Sequence, residues 1–248
     1  MSATEQLWGP EVARDYDEAS AFTSTPEVLG PTVDFLARRA ADGAALELAV
    51  GTGRVALPLS ARGVPVAGVE LSEHMAARLR EKPGADAVPV AIGDMASATA
   101  PGCGGFRLVY LVYNTITNLL TQDEQVACFR NAARHLEPGG VFVVEVFVPP
   151  LQRLPPGQTA IPFHVGEHHV GVDTIDVLNQ RLVSHHYRVR DGAGSLFRSP
   201  HRWVWPSELD LMARLAGMEP AGRWADWDES PFTAASTSHV SAWRLPGR

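Results

Sequence analysis

The chain has 248 residues, 45% of them hydrophobic and 20% charged, with a formal net charge of −7. A chain of this size and mix buries a real core, which excludes a disordered tail and a small disulfide scaffold. It offers no basic stripe for a nucleic acid, and of its 21 basic residues only Lys82 is a lysine.

Taken in chain order, Thr25 before Pro26 and Glu27 predicts a helix start, a capping residue followed by proline in the first turn. That helix runs to about Arg39, with a disturbance expected at Gly30 and Pro31. Short apolar runs then predict strands at 45–50, 64–69, 88–92, 108–113 and 141–147, with helices at 72–82 and 123–136 among the intervening segments. The second of these helices opens on Thr121 with Glu124 three residues on, the pattern of a capping box. Apolar strands alternating with helices give an α/β fold, a doubly wound, Rossmann-like and mostly parallel sheet with its ligand crevice at the strands' carboxyl ends.

After Pro149 and Pro150 the rhythm changes. Strands at 172–178, 181–190 and 196–205 follow one another through short turns at 179–180 and 191–194, so they pair antiparallel. A helix at 207–216, capped by Ser207 and stopped by Gly217, precedes strands at 222–227 and 239–245. The reading is one domain over 1–248 with an antiparallel β insertion after the fifth strand, at about 149–206. Cys103 and Cys128 fit no ligand spacing and read as reduced thiols of a cytoplasmic protein. The start of the chain lacks the basic-then-apolar pattern of a signal peptide, and no apolar stretch is long enough to span a membrane.

The glycine loop after the first strand admits two cofactors. Gly51, Gly53 and Ala56 match the dinucleotide pattern, with Glu70 placed to hold a ribose. Glu47, on the strand just before the loop, would repel a pyrophosphate and welcome an ammonium group. Glu70 offers two oxygens to the two ribose hydroxyls, and Asp94 can accept from an adenine amine. The set suits a nucleoside joined to a cationic amino acid.

Five segments carry a resemblance: LELAVGTGR (46–54), VAGVELSEHM (66–75), AIGDM (91–95), FRLVYLVYNTITNLL (106–120) and HLEPGGVFVVEVF (135–147). Together they resemble the class I S-adenosylmethionine-dependent methyltransferases of the small-molecule type, over about 10–148 and again near the C-terminus. The resemblance implies S-adenosyl-L-methionine as cofactor and S-adenosyl-L-homocysteine as product. It implies Glu47 with Ala49, Gly51 and Gly53 on the methionine part, Glu70 on the ribose, Leu71 and Met75 against adenine, and Asp94 with Met95 at its amine edge. Tyr16 is similar to a tyrosine that some members fold over the cofactor, and Tyr113, Asn114 and Thr115 would line the transfer site. Two departures are visible: Ala49 stands for the first glycine of the turn, and Arg107 replaces the aspartate usual before the fourth strand.

Besides His201, five histidines, His164, His168, His169, His185 and His186, lie in the insertion. On a regular strand His185 shares a face with Val183, Tyr187 and Val189 while His186 faces the other way, so the pair cannot chelate one ion. The same holds for His168 with His169, and no metal site is assigned. Tyr113 and His201 are the candidate catalytic polar groups near the acceptor. Phe163, Tyr187, Phe197, Trp203 and Trp205 wall an acceptor pocket, pack the insertion onto the sheet, or meet a second subunit of a homodimer; the sequence leaves these open. The expected acceptor is a small molecule in specialised metabolism, with no nucleic acid and no membrane involved, and the methylated atom (O, N or C) undetermined. Two other readings stay open: an NAD(P)-dependent oxidoreductase, although the single lysine leaves no YxxxK motif, and a non-catalytic S-adenosylmethionine-binding protein.

Overall fold

The computed structural model describes residues 8–102, 105–190 and 192–247. Cys103, residue 191 of the predicted turn and the first seven residues lie outside them. Six α-helices are described: α1 (Pro10–Ala19), α2 (Pro26–Ala40), α3 (Ala56–Ala61), α4 (Glu73–Arg80), α5 (Gln122–His135) and α6 (Pro206–Leu215). The main sheet takes β1 (Ala45–Leu48), β2 (Val66–Glu70), β3 (Val90–Ile92), β4 (Phe106–Leu111) and β5 (Leu136–Phe147), then β10 (Glu219–Trp224) and β11 (Ser238–Arg244).

The strand order is β3-β2-β1-β4-β5-β11-β10. Pairing is parallel from β3 through to β5, and antiparallel where β11 enters between β5 and β10. The chain winds outward from β1 to β3 and then returns to β4, so the carboxyl ends of β1 and β4 flank the switch point where such sheets bind ligands. Fully buried Leu46, Leu48, Val109, Phe129, Phe142 and Trp243 pack one face. Phe35, Leu36, Leu59, Leu108 and Tyr110 pack the other. The rings of Phe129, Phe142 and Trp243 meet in edge-to-face or tilted pairs.

Several boundaries move for local reasons. β1 stops at Leu48 because Ala49 turns left-handed at φ 55. β4 stops at Leu111, before Tyr113 and Asn114 at φ 56 and 62. α2 runs straight through Pro31 with no break; the proline removes one backbone donor, and buried Thr32, Val33, Phe35 and Leu36 hold the next turn. Ser207 is not a cap: α6 begins at Pro206 after an extended Trp205, which places Ser207 inside the first turn. The capping box of α5 is present in full, with Thr121 Oγ1 accepting from the Glu124 N–H and Glu124 accepting from the Thr121 N–H.

The insertion does not extend the main sheet. It forms a separate antiparallel sheet of β6 (Ala160–Val165), β7 (His169–Asp176), β8 (Arg181–Arg190) and β9 (Ala193–Arg202), in that order. β6 is an additional strand that the sequence reading did not include. The last strand ends three residues earlier than expected because Trp203 leaves it to pack with Ile175 and Leu182. Among the described residues no helix is long and apolar enough to cross a membrane.

Candidate active site

One cavity of about 1550 Å³ opens along the carboxyl ends of the main strands and continues up to the insertion sheet. Its floor carries Ala49 and Gly51 after β1, Glu70 and Leu71 after β2, Asp94 and Met95 after β3, and Tyr113 to Thr115 after β4. Tyr16 and Trp8 cover it from α1 and its approach, and Met75 reaches it from α4.

The loop and Glu70 are built as one unit. Gly51, at φ 58, donates its N–H to Glu70 Oε2 at 2.8 Å, and Ser72 donates its N–H to Oε1 at 2.8 Å. Burial pushes the Glu70 carboxyl up from the usual range, and these N–H groups pull it back. Each oxygen keeps a lone pair for a further donor. Glu47 and Gly53 do not reach the cavity wall. Glu47 is turned into the protein, where the Tyr110 hydroxyl donates to it at 3.0 Å and burial pushes its carboxyl up to about 8. A Cβ at Gly53 would press on Leu57 and Leu79, so this glycine serves close packing. The other eight expected cofactor positions, Tyr16, Ala49, Gly51, Glu70, Leu71, Met75, Asp94 and Met95, all stand on the wall.

α1 is fixed over the loop at two points, neither visible in the sequence. Asp17 accepts from the Thr52 hydroxyl at 2.6 Å and pairs with Lys82 Nζ at 2.7 Å. Lys82 also donates to the Thr52 carbonyl at 2.8 Å, and the Ser72 hydroxyl donates to the Trp8 carbonyl at 2.7 Å. Gly9 before Pro10 and Glu11 carried the start signal for this helix.

Beyond the end of β4, two successive left-handed residues, Tyr113 and Asn114, turn toward the cavity, and β5 holds them there. Glu145 Oε2 accepts the Tyr113 N–H at 2.7 Å, while Oε1 accepts from Trp227 Nε1 at 3.1 Å. Asn114 Oδ1 accepts the Phe147 N–H at 2.7 Å. Strain of this kind persists only where the surroundings over-determine it. The Arg54 guanidinium lies over the Tyr113 ring, 5.0 Å from its centre. Burial pushes the Tyr16 phenol up to about 12 and raises Tyr113 as well, so both are neutral at pH 7. The Thr117 hydroxyl donates to the Asn114 carbonyl, so toward His201 it accepts, and His201 Nδ1 carries the proton. His201 Nε2 then takes the Ser199 hydroxyl at 2.9 Å, and burial lowers this imidazole to about 4.

Residues 45–140 match the family described as a methyltransferase domain. The chain is 39% identical to the CcbJ methyltransferase of Streptomyces caelestis, with a TM-score of 0.86 over 97% of this chain and 98% of that one. The chain belongs to the class I S-adenosylmethionine-dependent methyltransferases. It is also 29% identical, over 89% of its length and 94% of the relative's, to the cypemycin N-terminal methyltransferase of a Streptomyces species. The amino pentose methyltransferase CalS10 of Micromonospora echinaspora shares the fold, with a TM-score of 0.67 at 23% identity over 92% and 95% of the two chains. Membership sets aside the nicotinamide reading of the glycine loop.

The wall of this methyltransferase fits its cofactor. A two-oxygen acceptor at Glu70, apolar Leu71, Met75 and Met95, an exposed carboxylate at Asp94 and a side-chain-poor turn at Ala49 and Gly51 form a nucleoside-shaped donor set. Bound S-adenosylmethionine supplies an already activated methyl group, so the protein's share is alignment and the exclusion of water. Among the described residues no three His, Cys, Asp or Glu side chains are grouped to hold a metal.

The insertion aromatics divide among three places. Phe163, Phe197 and Trp205 stand on the cavity wall, Trp203 is buried at the base of the sheet, and Tyr187 is 47% exposed on its outer face. His185 and His186 take opposite faces of β8, as alternation requires. The cross-strand approach of His164, His169 and His186 was not legible from spacing within one strand.

Proposed function

We propose that this methyltransferase N-methylates an amine on a small-molecule acceptor, with the insertion at 149–206 serving as the acceptor wall of a single catalytic domain. The observation that carries the reading is the make-up of the cavity. Its lining holds six carboxylates, Glu11, Asp15, Glu70, Asp94, Glu124 and Asp173, against the two guanidiniums of Arg153 and Arg188. Such a lining draws in cations, which amines are at neutral pH. The groups at the transfer end also favour an amine. A hydroxyl or carbon acceptor gains from a strong base, yet Tyr16 and Tyr113 hold their protons and both nitrogens of His201 are engaged by hydroxyls. An amine that enters as a cation gives its proton to solvent or to a carboxylate of the lining, then brings its own lone pair and needs alignment alone.

In this reading Glu70 holds the ribose, Leu71 and Met75 the adenine, Asp94 with Met95 the adenine amine, and Ala49 with Gly51 the methionine part. Glu47 and Gly53 shape the turn from behind. Tyr16 and Tyr113 bracket the methyl group, and His201 fixes Thr117 and Ser199 at the acceptor side. Natural-product acceptors are favoured by the relatives' names, one of which methylates an N-terminus.

The test is a calorimetric titration with S-adenosylhomocysteine beside NADH, followed by methyl-transfer assays on matched amines and phenols. Micromolar binding of the homocysteine compound alone, with product only from amines, is the expected result. Transfer confined to phenols would overturn the choice of atom.

A further inference from the structure

The interior face of the β6–β9 sheet gathers polar groups among the apolar Phe163, Leu182 and Phe197. Asp173 of β7, Ser184 and His186 of β8, and Ser199 and His201 of β9 all stand on the cavity wall. Register places Asp173 opposite Ser184 and Ser184 opposite Ser199, so an acid and two hydroxyls form one rung across three strands. The alternate positions Val170, Tyr187 and Val189 are 37%, 47% and 50% exposed, beside the polar Thr174, Arg181 and His185. A half-covered sheet ordinarily turns apolar residues inward, as Leu182 and Phe197 do here. Burial of apolar area does not account for the acid, hydroxyls and imidazoles between them; a polar ligand does.

The chemistry of that ligand follows from what these groups can exchange. A hydroxyl both donates and accepts, and a neutral imidazole does the same through its two nitrogens. Burial lowers both His186 and His201 to about 4, so both are neutral at pH 7. Asp173 accepts from the Ser184 hydroxyl at 2.6 Å and has no lysine or arginine paired with it among the described residues. The imidazoles of His164, His169 and His186 stack across the strands with centres 4.6 and 5.3 Å apart. Their faces are used against one another and His169 Nε2 meets His186 Nδ1 at 3.1 Å, which leaves only their other ring nitrogens for a ligand and lets no single ion take all three. Phe163 lies flat on β7 because position 171 is glycine; a Cβ there would overlap its ring. An anion would find only Arg188 as a full charge on this sheet face. An apolar ring would leave the second carboxylate oxygen of Asp173 and the remaining lone pairs of Ser184 and Ser199 without a donor. A ligand rich in hydroxyls matches them group for group, with Phe163 against its C–H face.

We propose that this wall binds a polyhydroxylated part of the acceptor, so that the amine methylated by the chain is carried on a sugar or a comparable cyclic polyol. The inference rests on the amine reading above and adds the chemistry of the acceptor's remainder.

The experiment uses the full chain loaded with S-adenosylhomocysteine and saturation-transfer NMR. The probes are glucosamine, galactosamine and mannosamine, each against cyclohexylamine, an amine with a six-membered ring and no hydroxyls. At least one amino sugar binds tenfold or more tightly than cyclohexylamine, with saturation strongest at its hydroxyl-bearing carbons. Asp173→Asn and His186→Phe each cut that preference to under threefold and leave the affinity for S-adenosylhomocysteine unchanged. No preference anywhere in the panel, or a preference intact in both variants, overturns the proposal. Loss of S-adenosylhomocysteine binding in the parent protein would instead sink the methyltransferase assignment of the cavity, and this proposal with it.

Discussion

Both oxygens of Glu70 already hold a backbone N–H, from Gly51 and Ser72, so the side chain organises the loop as well as facing the cavity. Glu70→Ala is expected to weaken S-adenosylhomocysteine binding by about 1.5–3 kcal/mol, the range for hydrogen bonds to a charged group, as read by calorimetry. It also strands two N–H groups, so its thermal midpoint falls, whereas Glu70→Gln keeps an acceptor oxygen and falls less. Glu70 was legible because an acid ending the strand after a glycine loop is a local pattern. Asp173, Ser184 and Ser199 were not, since their rung exists only once β7, β8 and β9 are in register. Glu145 was hidden for a similar reason: its task is to hold Tyr113, and β4 and β5 meet only in the folded sheet. His201 was found by residue type alone, and its two hydroxyl partners come from different elements.

At the scale of elements, the reading of strands and helices in the main sheet rested on apolar runs, and those runs survive as β1 to β5. What the pattern lacked was the point at which a strand yields to a left-handed residue, because Ala49, Tyr113 and Asn114 carry no glycine signal. The insertion's edge strand β6 was missed because its mostly exposed residues show no burial-driven alternation. The capping box predicts that Thr121→Ala costs about 1 kcal/mol, or roughly 2–4 °C in the thermal midpoint of a chain this size. The α1 latch predicts a kinetic effect. Lys82 and Asp17 are each partly exposed, so their pairing contributes about 0.2–1 kcal/mol. Lys82→Met is therefore expected to speed S-adenosylhomocysteine release by about 1.5- to 5-fold in stopped-flow measurements, with little change in melting. His185 faces away from the cavity, and His185→Ala is expected to leave cofactor affinity unchanged by calorimetry; a large loss would mean that the sheet's faces are assigned the wrong way round.

For the molecule as a whole, the buried carboxyl of Glu47 sets a pH dependence. Its folded value of about 8 lies above the ordinary 4.5, so the folded protein holds a proton that the unfolded chain releases between those values. Stability from this group is complete below about pH 4.5 and is lost as the pH rises through about 8. Glu47→Gln removes the ionisation, so its melting temperature relative to the parent is expected to rise between pH 5 and pH 9. A difference independent of pH would place the ionised form in the fold. Among the described residues the insertion's own buried cluster is Ile175, Leu182 and Trp203. Its amides are expected to exchange faster than those of β1, β4 and β5 in hydrogen-exchange measurements. The global architecture followed from the order of its apolar runs, while the partition into two sheets depended on where the chain turns after Pro150.

Lys82 is the only lysine in the chain, and its amine is held against Asp17 and the Thr52 carbonyl. An acylating reagent thus finds a single ε-amine, partly exposed while it is paired with Asp17 and less hindered once α1 lifts. The rate of that one modification, followed by mass spectrometry of the 82-containing peptide, reports the opening of the cover without any introduced dye or cysteine. Saturating S-adenosylhomocysteine should slow it, which would make the unaltered protein its own clock for admission of the cofactor.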